Sequence, residues 1–181
     1  EGQSWPTKDA DEANRLKEHA SMRDSPIRSS CAKTAGRMTE FIAYGAGVGS
    51  TALLYLKKPQ IKSGEIEVVY SDHGCDLPES REYIHKISDH MDIDITCLNA
   101  GNLYDYCWQK KILPSIHWRW CTDKFKIRPM KKYVDGDVPA IGITVDERHR
   151  AYDFRFGGRS SFPLLDKRVT RNQALSMIEA E

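Results

Sequence analysis

The sequence predicts an α/β fold in which helices cover both faces of a parallel sheet. Apolar, strand-like runs alternate with segments of helical spacing, and a tight glycine loop joins the first run to the first helix. Alternation of this kind favours right-handed crossovers between parallel strands. A chain of 181 residues is long enough for one such domain with a buried core. We expect this domain to cover residues 38–181 and to follow a polar, partly mobile arm of residues 1–37.

The predicted elements follow one another in a regular order. Strands are predicted at residues 39–44, 65–71, 93–98 and 138–144, with a fifth at 162–165. Helices are predicted at residues 50–58, 79–91, 102–111 and 122–134, with a last one from about Thr170. In open parallel sheets ligands bind beyond the carboxyl ends of the strands. We therefore expect the site in the segments that follow the strands: Gly45–Thr51, Asp72–Gly74, Asn99–Gly101 and Val145–Arg150.

Composition argues against several classes of protein. No run approaches the roughly 18 apolar residues of a membrane span, and the N-terminus lacks the apolar core of a signal peptide. A net charge of +1 does not indicate nucleic acid as a partner, so any basic site is local. The cysteines include no Cys-x-x-Cys pair, which favours a reducing, cytoplasmic compartment: Cys31, Cys75, Cys97, Cys107 and Cys121.

The loop Gly45-Ala46-Gly47-Val48-Gly49-Ser50-Thr51 is a candidate phosphate site. It links a predicted strand to a helix start, where free backbone N–H groups favour anions. The loop pattern also suits a dinucleotide or S-adenosylmethionine site, with Asp72 as the acid that binds ribose. It is not a Walker P-loop, because no Lys precedes the Ser-Thr pair. A tight turn without a ligand is a further alternative.

Three further segments bring acids and cations to the same predicted edge. Ser71–Ser80 ends a strand with an acid and a glycine, which suits either a binding turn or a capped helix start. Arg119–Pro129 places four cations at a helix start, where they oppose the helix dipole unless an anion is also bound. A solvated basic face is the alternative there. Asp146–Arg150 contains guanidiniums that suit phosphate or sulfate, or a surface cluster of ion pairs.

Taken in this order, the segments resemble the phosphoadenosine phosphosulfate (PAPS) reductase family, within the adenine nucleotide alpha hydrolases and PP-loop ATP pyrophosphatases. Gly45–Thr51 stands where that group has Ser-Gly-Gly-x-Asp-Ser-Thr. The other segments resemble family motifs in the same order: Ser71–Ser80 (Asp-Thr-Gly-x-x-x-Pro-Glu-Thr), Arg119–Pro129 (Arg-x-Cys-Thr-x-x-x-Lys-x-x-Pro), Gly142–Arg150 (Gly-x-x-x-x-Glu-x-x-Arg) and Phe162–Asp166 (Tyr-Pro-Leu-x-Asp).

The resemblance implies a flavodoxin-like (HUP-type) three-layer sandwich with about five parallel strands. It implies ATP or PAPS as the ligand, with Mg²⁺ as a candidate cofactor, and no metal-ligating residue is predicted. The residues that it assigns to nucleotide or phosphate binding are Tyr44, Gly45, Ala46, Gly47, Val48, Gly49, Ser50, Thr51, Asp72, His73, Gly74, Arg119, Lys124, Lys126, Arg148 and Arg150. The candidate catalytic residues are Lys124, Arg119 and Cys121.

Two departures from the family pattern shape the expected activity. Gly49 replaces the loop Asp, and no Glu-Cys-Gly-x-His tail follows, so the domain is expected to lack the C-terminal tail that carries the reductase thiol. We therefore expect action on the α-phosphate, by hydrolysis or nucleotidyl transfer. The alternatives are sulfonucleotide reduction with a thiol-reductant or sulfur-donor protein, a non-catalytic nucleotide-binding module, and a Rossmann-like enzyme. A homodimer is a candidate assembly.

Overall fold

The computed structural model describes residues 40–115, 118–134, 138–152 and 160–181. Four parallel strands form one sheet in this part of the chain, in the order β3-β2-β1-β4. The strands are β1 (Glu40–Tyr44), β2 (Glu67–Asp72), β3 (Ile95–Asn99) and β4 (Val138–Ala140). Successive strands are added on one side of β1 as far as β3, and β4 is then added on the other side of β1. The point between β1 and β4 is therefore the topological switch point, where open sheets bind ligands. The predicted arm of residues 1–37 lies outside the described residues.

Helices connect the strands and cover the sheet. None of them, within the described residues, is long and apolar enough to cross a membrane. They are α1 (Val48–Leu56), α2 (Lys58–Lys62), α3 (Pro78–Met91), α4 (Leu103–Lys110), α5 (Trp120–Thr122), α6 (Arg128–Val134), α7 (Pro163–Asp166) and α8 (Arg171–Glu179). A π-helical turn (Asp123–Ile127) joins α5 to α6, and a 3₁₀ segment (Val145–Tyr152) follows β4.

Alternate side chains of the central strand pack on opposite faces of the sheet. Ile42 and Tyr44 of β1 belong to the larger core cluster, together with Leu53 and Leu54 of α1. Phe41 belongs to a second cluster, with Val69, Met130 and Val134. Because successive side chains of a strand point to opposite faces, apolar residues on both faces indicate a sheet that is covered on both sides. This arrangement confirms the predicted mixed α/β fold of the Rossmann or HUP type.

The predicted fifth strand at residues 162–165 is wrong. Residues Pro163–Asp166 form the short helix α7, and Ser161 before it pairs with the sheet through an isolated parallel bridge to Ala140. Pro163 explains the difference, because proline fits the first turn of a helix but has no N–H to donate to a strand ladder. The fourth strand also ends at Ala140 rather than at residue 144.

Candidate functional site

Residues 45–51, here named the glycine loop, comprise the turn after β1 and the first residues of α1. Gly45 and Gly47 are exposed, and a Cβ atom on either would meet no atom within 4 Å. Ala46 between them has φ of 52°, in the left-handed region. The backbone at Gly45 and Gly47 is thus open to an approaching ligand.

The hydroxyl of Ser50 braces the glycine loop from inside. Its Oγ accepts hydrogen bonds from the N–H of Gly47 at 3.1 Å and of Gly45 at 3.4 Å. It donates to the Gly47 carbonyl at 2.9 Å. Two of the loop amides predicted to hold phosphate are therefore engaged by Ser50.

The start of α1 leaves other donors for an anion. The first hydrogen bond of the helix runs from the Thr51 N–H to the Gly47 carbonyl, at 2.9 Å. Helix geometry provides no intrahelical acceptor for the N–H groups of Val48, Gly49 and Ser50, which come before it. Together with the helix dipole, these three groups are the best candidates for contact with a phosphate.

Gly49 packs directly against Gly142, which follows β4. A Cβ atom at Gly49 would lie 2.2 Å from the carbonyl oxygen of Gly142, and one at Gly142 would lie 2.5 Å from Gly49 and Ser50 backbone atoms. The two loops on either side of the switch point therefore meet backbone to backbone. A side chain at position 49, such as the family's Asp, does not fit this arrangement.

Tyr44 and Thr51 support the glycine loop from the core. Tyr44 is 2% exposed and Thr51 is fully buried. The hydroxyl oxygens of Tyr44 and Thr51 are 3.4 Å apart, and Tyr83 donates to the same Thr51 oxygen at 3.3 Å. Burial raises the pKa of Tyr44 to about 12, although the hydrogen bond with Thr51 opposes this shift. Both hydroxyls thus face inward, and any ligand contact at these two positions is left to the backbone.

The hydroxyl oxygen of Thr144, near the contact of Gly49 with Gly142, has no hydrogen-bond partner among the described residues. Thr144 is 2% exposed. Its methyl carbon lies 3.8 Å from the position of a Cβ at Gly49. An unpaired buried hydroxyl costs free energy, and here it lies next to the glycine loop.

Asp72 closes the turn after β2. Its carboxylate accepts from the Gly74 N–H at 2.7 Å and from Arg81 at 2.5 Å. Gly74 has φ of 71°, a conformation that glycine adopts without strain. Asp72 is thus held by two donors, one of them the Arg81 guanidinium of α3, which the sequence analysis did not single out.

Asp76 is the centre of a second polar cluster beside Asp72. It accepts a short hydrogen bond from the Tyr70 hydroxyl, and its other oxygen lies 3.3 Å from His73 Nε2. Burial alone raises the pKa of Asp76. The hydrogen bonds from His73 and Tyr70, and the charges of His73 and Lys126, outweigh burial and lower this pKa to about 2. Asp76 is not among the site residues predicted from the sequence, although it lies within the segment Ser71–Ser80 and three residues from His73.

The basic segment, Arg119–Pro129, lies over the carboxyl end of β2. The Ser71 hydroxyl donates to the Phe125 carbonyl at 2.7 Å, which fixes the π-helical turn against β2. Lys126 is half-buried and acts electrostatically on Asp76. Lys124 is exposed, and its Nζ lies 3.9 Å from the ring centroid of Tyr106. The two lysines therefore have different neighbours, and Lys126 is the one associated with the sheet edge.

Arg119, which precedes α5, has an uncommon backbone conformation. Its φ is 38°, and its N–H donates to the Ser115 carbonyl at 2.9 Å. Its side chain is half-buried.

Both acids and one arginine of the 3₁₀ segment have structural partners. Arg150 donates to Glu147 at 2.7 Å, and Arg148 is exposed. Asp146 accepts from the N–H of Arg171 at 2.6 Å, at the first residue of α8. Asp146 therefore stabilises the start of α8, where a negative charge is favourable.

The cysteines of the described residues are free thiols with different surroundings. Cys97 lies in β3, and burial raises its pKa to about 11. Desolvation, followed by the nearby thiols of Cys75 and Cys121, raises the pKa of Cys107. Cys75 is exposed, and its Sγ accepts from the Tyr104 N–H at 3.2 Å. Cys121, a candidate catalytic residue, is half-buried within the basic segment.

The residues at this edge do not form a site for Mg²⁺. Within the described residues, no group of three or more His, Cys, Asp or Glu side chains could hold a metal ion. Position 49 has no carboxylate and no room for one. The nearby acids Asp72, Asp76 and Asp146 are each engaged by protein donors.

Comparisons with known proteins identify relatives of this chain. A sequence model described as "Phosphoadenosine phosphosulfate reductase domain" matches residues 39–153. Uncharacterized protein MJ0973 of Methanocaldococcus jannaschii is 26% identical over 88 residues, which cover 49% of this chain and 21% of that protein. Uncharacterized nin region protein ORF290 of Escherichia phage lambda is 25% identical over 146 residues, covering 62% of this chain and 50% of that protein. The chain thus spans between about a fifth and half of the length of these relatives.

Proposed function

The chain belongs to the phosphoadenosine phosphosulfate reductase domain family, and from that premise we propose that it binds an adenine nucleotide, ATP or PAPS, at the glycine loop. The observation that carries the proposal is the open space beside Gly45 and Gly47, next to the start of α1, where the first N–H groups have no intrahelical acceptor. An anionic group is favoured there by the helix dipole and by the N–H groups together.

The proposed binding mode uses backbone close to the sheet and cations above it. The N–H groups of Val48, Gly49 and Ser50 would contact the phosphate or sulfate. The backbone near Asp72 would border the adenosine. Arg119 and Lys126 would neutralise the anion from the basic segment. Lys124, Arg148 and Arg150 are exposed and would reach only the outer part of a ligand.

The proposed reaction is attack of an oxygen nucleophile on the α-phosphorus. A new P–O bond forms while the bond from the α-phosphorus to the leaving group breaks, so that pyrophosphate leaves from ATP, or sulfate from PAPS, with the electron pair, and the proton of the nucleophile passes to water. Fixed N–H groups and a guanidinium are the groups that stabilise the negative charge that develops. No step is assigned to Mg²⁺, because the residues at the edge do not fit it.

Two alternatives each have one supporting observation. The exposed thiol of Cys75, in the turn after β2, favours sulfonucleotide reduction, which requires a thiol-reductant or sulfur-donor protein as partner. The exclusion of a carboxylate at position 49 favours a non-catalytic nucleotide-binding module. The Rossmann-like alternative is weakened because Asp72, its ribose-binding acid, is already held by Arg81 and Gly74.

The compartment proposed for this activity is the cytoplasm. Cys75, Cys97, Cys107 and Cys121 are all free thiols, and free thiols persist in reducing compartments. The homodimer stays a prediction.

Calorimetric titration with ATP, PAPS and GTP tests the proposed binding, and product analysis after incubation tests the reaction. We expect ATP or PAPS to bind more tightly than GTP and the bound nucleotide to be cleaved at its α-phosphate. Sulfite release from PAPS in the presence of a dithiol would support reduction instead. Binding without any product would leave only the non-catalytic module. If neither adenine nucleotide binds, the proposed function is wrong.

A further inference from the structure

Helix α4 carries exposed aromatic side chains that the proposed nucleotide site does not use. Tyr104 is 64% exposed and Trp108 is 66% exposed. Residues four apart lie on the same face of a helix, so the two rings form a stripe along α4. Trp118, in the segment after α4, is 83% exposed. Two large rings in contact with water on one face of a helix are unusual for a surface without a partner.

The same part of the chain concentrates positive charge. Residues 103–134 contain only two acids, Asp105 and Asp123, although the whole chain has a net charge of +1. Asp123 is paired with Arg128, at 2.7 Å. The eight cations of this region are Lys110, Lys111, Arg119, Lys124, Lys126, Arg128, Lys131 and Lys132.

Lysine side chains contact aromatic rings on two sides of α4. The Nζ of Lys111 lies 4.4 Å from the ring centroid of Trp108. On the other side of α4, the ring of Tyr106 lies 5.6 Å from that of Trp120. The ammonium group of Lys124 lies above the ring of Tyr106. Tyr104, Trp108 and Lys111 together form an aromatic and basic surface on one side of α4.

We propose that this aromatic and basic surface binds a single-stranded segment of nucleic acid. Unpaired bases stack on exposed aromatic rings, and the phosphates between them are neutralised by lysine and arginine. A base pair within a duplex has no free face to offer these rings, so the exposed stripe favours a single strand. A second copy of the same surface is disfavoured, because its cations would face one another.

Binding is tested with a fluorescein-labelled oligonucleotide of about 20 thymidines or uridines, measured by anisotropy at about 50 mM and about 200 mM salt. We expect binding at the lower salt that weakens steeply at the higher one. A duplex of the same length, and a poly-glutamate chain of similar charge, serve as competitors. Displacement of the oligonucleotide by poly-glutamate at equal charge would identify an acidic protein as the partner and overturn the proposal. A duplex that binds as tightly as the single strand would also overturn it.

Variants of the aromatic stripe test the role of stacking. For Trp108→Ala we expect affinity to fall about fivefold or more, and Trp108→Phe should retain most of it, because stacking contributes about 1–3 kcal/mol for each base. The side chain of Trp108 is largely exposed, so the thermal unfolding midpoint of Trp108→Ala should not change. Unchanged affinity in a folded Trp108→Ala protein would refute base stacking on α4.

A charge variant with a matched control tests the phosphate contacts. Lys111→Glu should flatten the slope of log affinity against log salt by about 0.7, the value for one contact with a single strand. Lys86→Glu makes the same charge change at an exposed position on α3 and should have little effect. Equal slopes for the two variants would contradict the assigned surface. Gly47→Phe, in the glycine loop, should leave oligonucleotide binding unchanged, which separates this proposal from the proposed nucleotide site.

Discussion

Gly49 and Gly142 are in backbone contact across the switch point of the sheet, with the carbonyl oxygen of Gly142 only 2.2 Å from where a Cβ at Gly49 would lie. The contact joins the start of α1 to the segment after β4. It explains why glycine replaces the loop acid of the family pattern. Space, rather than loop flexibility, is what restricts this position.

Substitution of Gly49 should therefore destabilise the protein. We expect Gly49→Ala to lower the free energy of unfolding by about 1–3 kcal/mol, a usual cost of overpacking, although alanine is the better helix former. Gly45→Ala is the matched control, because a Cβ at Gly45 meets no atom within 4 Å. Urea unfolding of both variants measures the difference. Equal stability of Gly49→Ala and Gly45→Ala would show that the backbones at positions 49 and 142 move apart at little cost.

A bulky side chain in the glycine loop should block nucleotide binding without harming the fold. At Gly47 a Cβ points into open space, and the backbone has φ of −99°. Gly47→Phe should therefore fold normally and lose calorimetrically detectable binding of ATP or PAPS. Asn172→Phe adds the same ring at an exposed position of α8 and should bind as the unmodified chain does. Retained affinity in Gly47→Phe would rule out close approach of a phosphate to this backbone.

The cation Arg119 should contribute to binding of the nucleotide. A hydrogen bond to a charged group contributes about 1.5–3 kcal/mol, so Arg119→Ala should weaken nucleotide binding by about tenfold or more. Its salt dependence should become flatter. Arg128→Ala is the control in the same segment, because Arg128 is 73% exposed and pairs with Asp123. If both variants bind alike, the basic segment does not contact the nucleotide through Arg119.

Removal of divalent metal should leave nucleotide affinity unchanged. The acids near the glycine loop are engaged by protein donors, and the described residues contain no metal-binding group. Titrations in excess EDTA and in excess Mg²⁺ should give dissociation constants that agree within about a factor of two. A tenfold gain with Mg²⁺, about 1.4 kcal/mol, would show that the protein and the nucleotide share a metal site.

Asp76 should make stability depend on acid pH. Its pKa is about 2 in the folded protein against an ordinary value of 3.8. Because the folded value is the lower one, the carboxylate stabilises the fold above about pH 4, and this contribution is lost as the pH falls towards 2. This lowering of the Asp76 pKa contributes about 2 kcal/mol to the free energy of unfolding at neutral pH.

Asp76→Asn tests this contribution. The variant should unfold more easily than the parent at pH 7, and the difference should disappear near pH 2, as measured by urea unfolding across this range. Asp94→Asn changes an exposed acid and serves as the control. A constant difference between Asp76→Asn and the parent at every pH would assign the effect to packing instead of charge.

The sequence by itself determined the class of fold and the family. Alternating apolar runs predict parallel strands and crossover helices, and four predicted strands correspond to β1–β4. Local motifs in a fixed order also indicated the family that the comparison confirms. These features depend on residues close together in the sequence, so a single chain is enough to read them.

The tertiary structure decided what each of those residues contacts. The contact of Gly49 with Gly142, the hydrogen bond from Ser71 to Phe125 and the effect of Lys126 on Asp76 follow from the meeting of loops. The residues that meet from different loops are far apart in sequence, and a spacing pattern contains no information on such distances. Packing against Gly142 is thus what turned Gly49 from a substitution in a motif into a requirement of the fold.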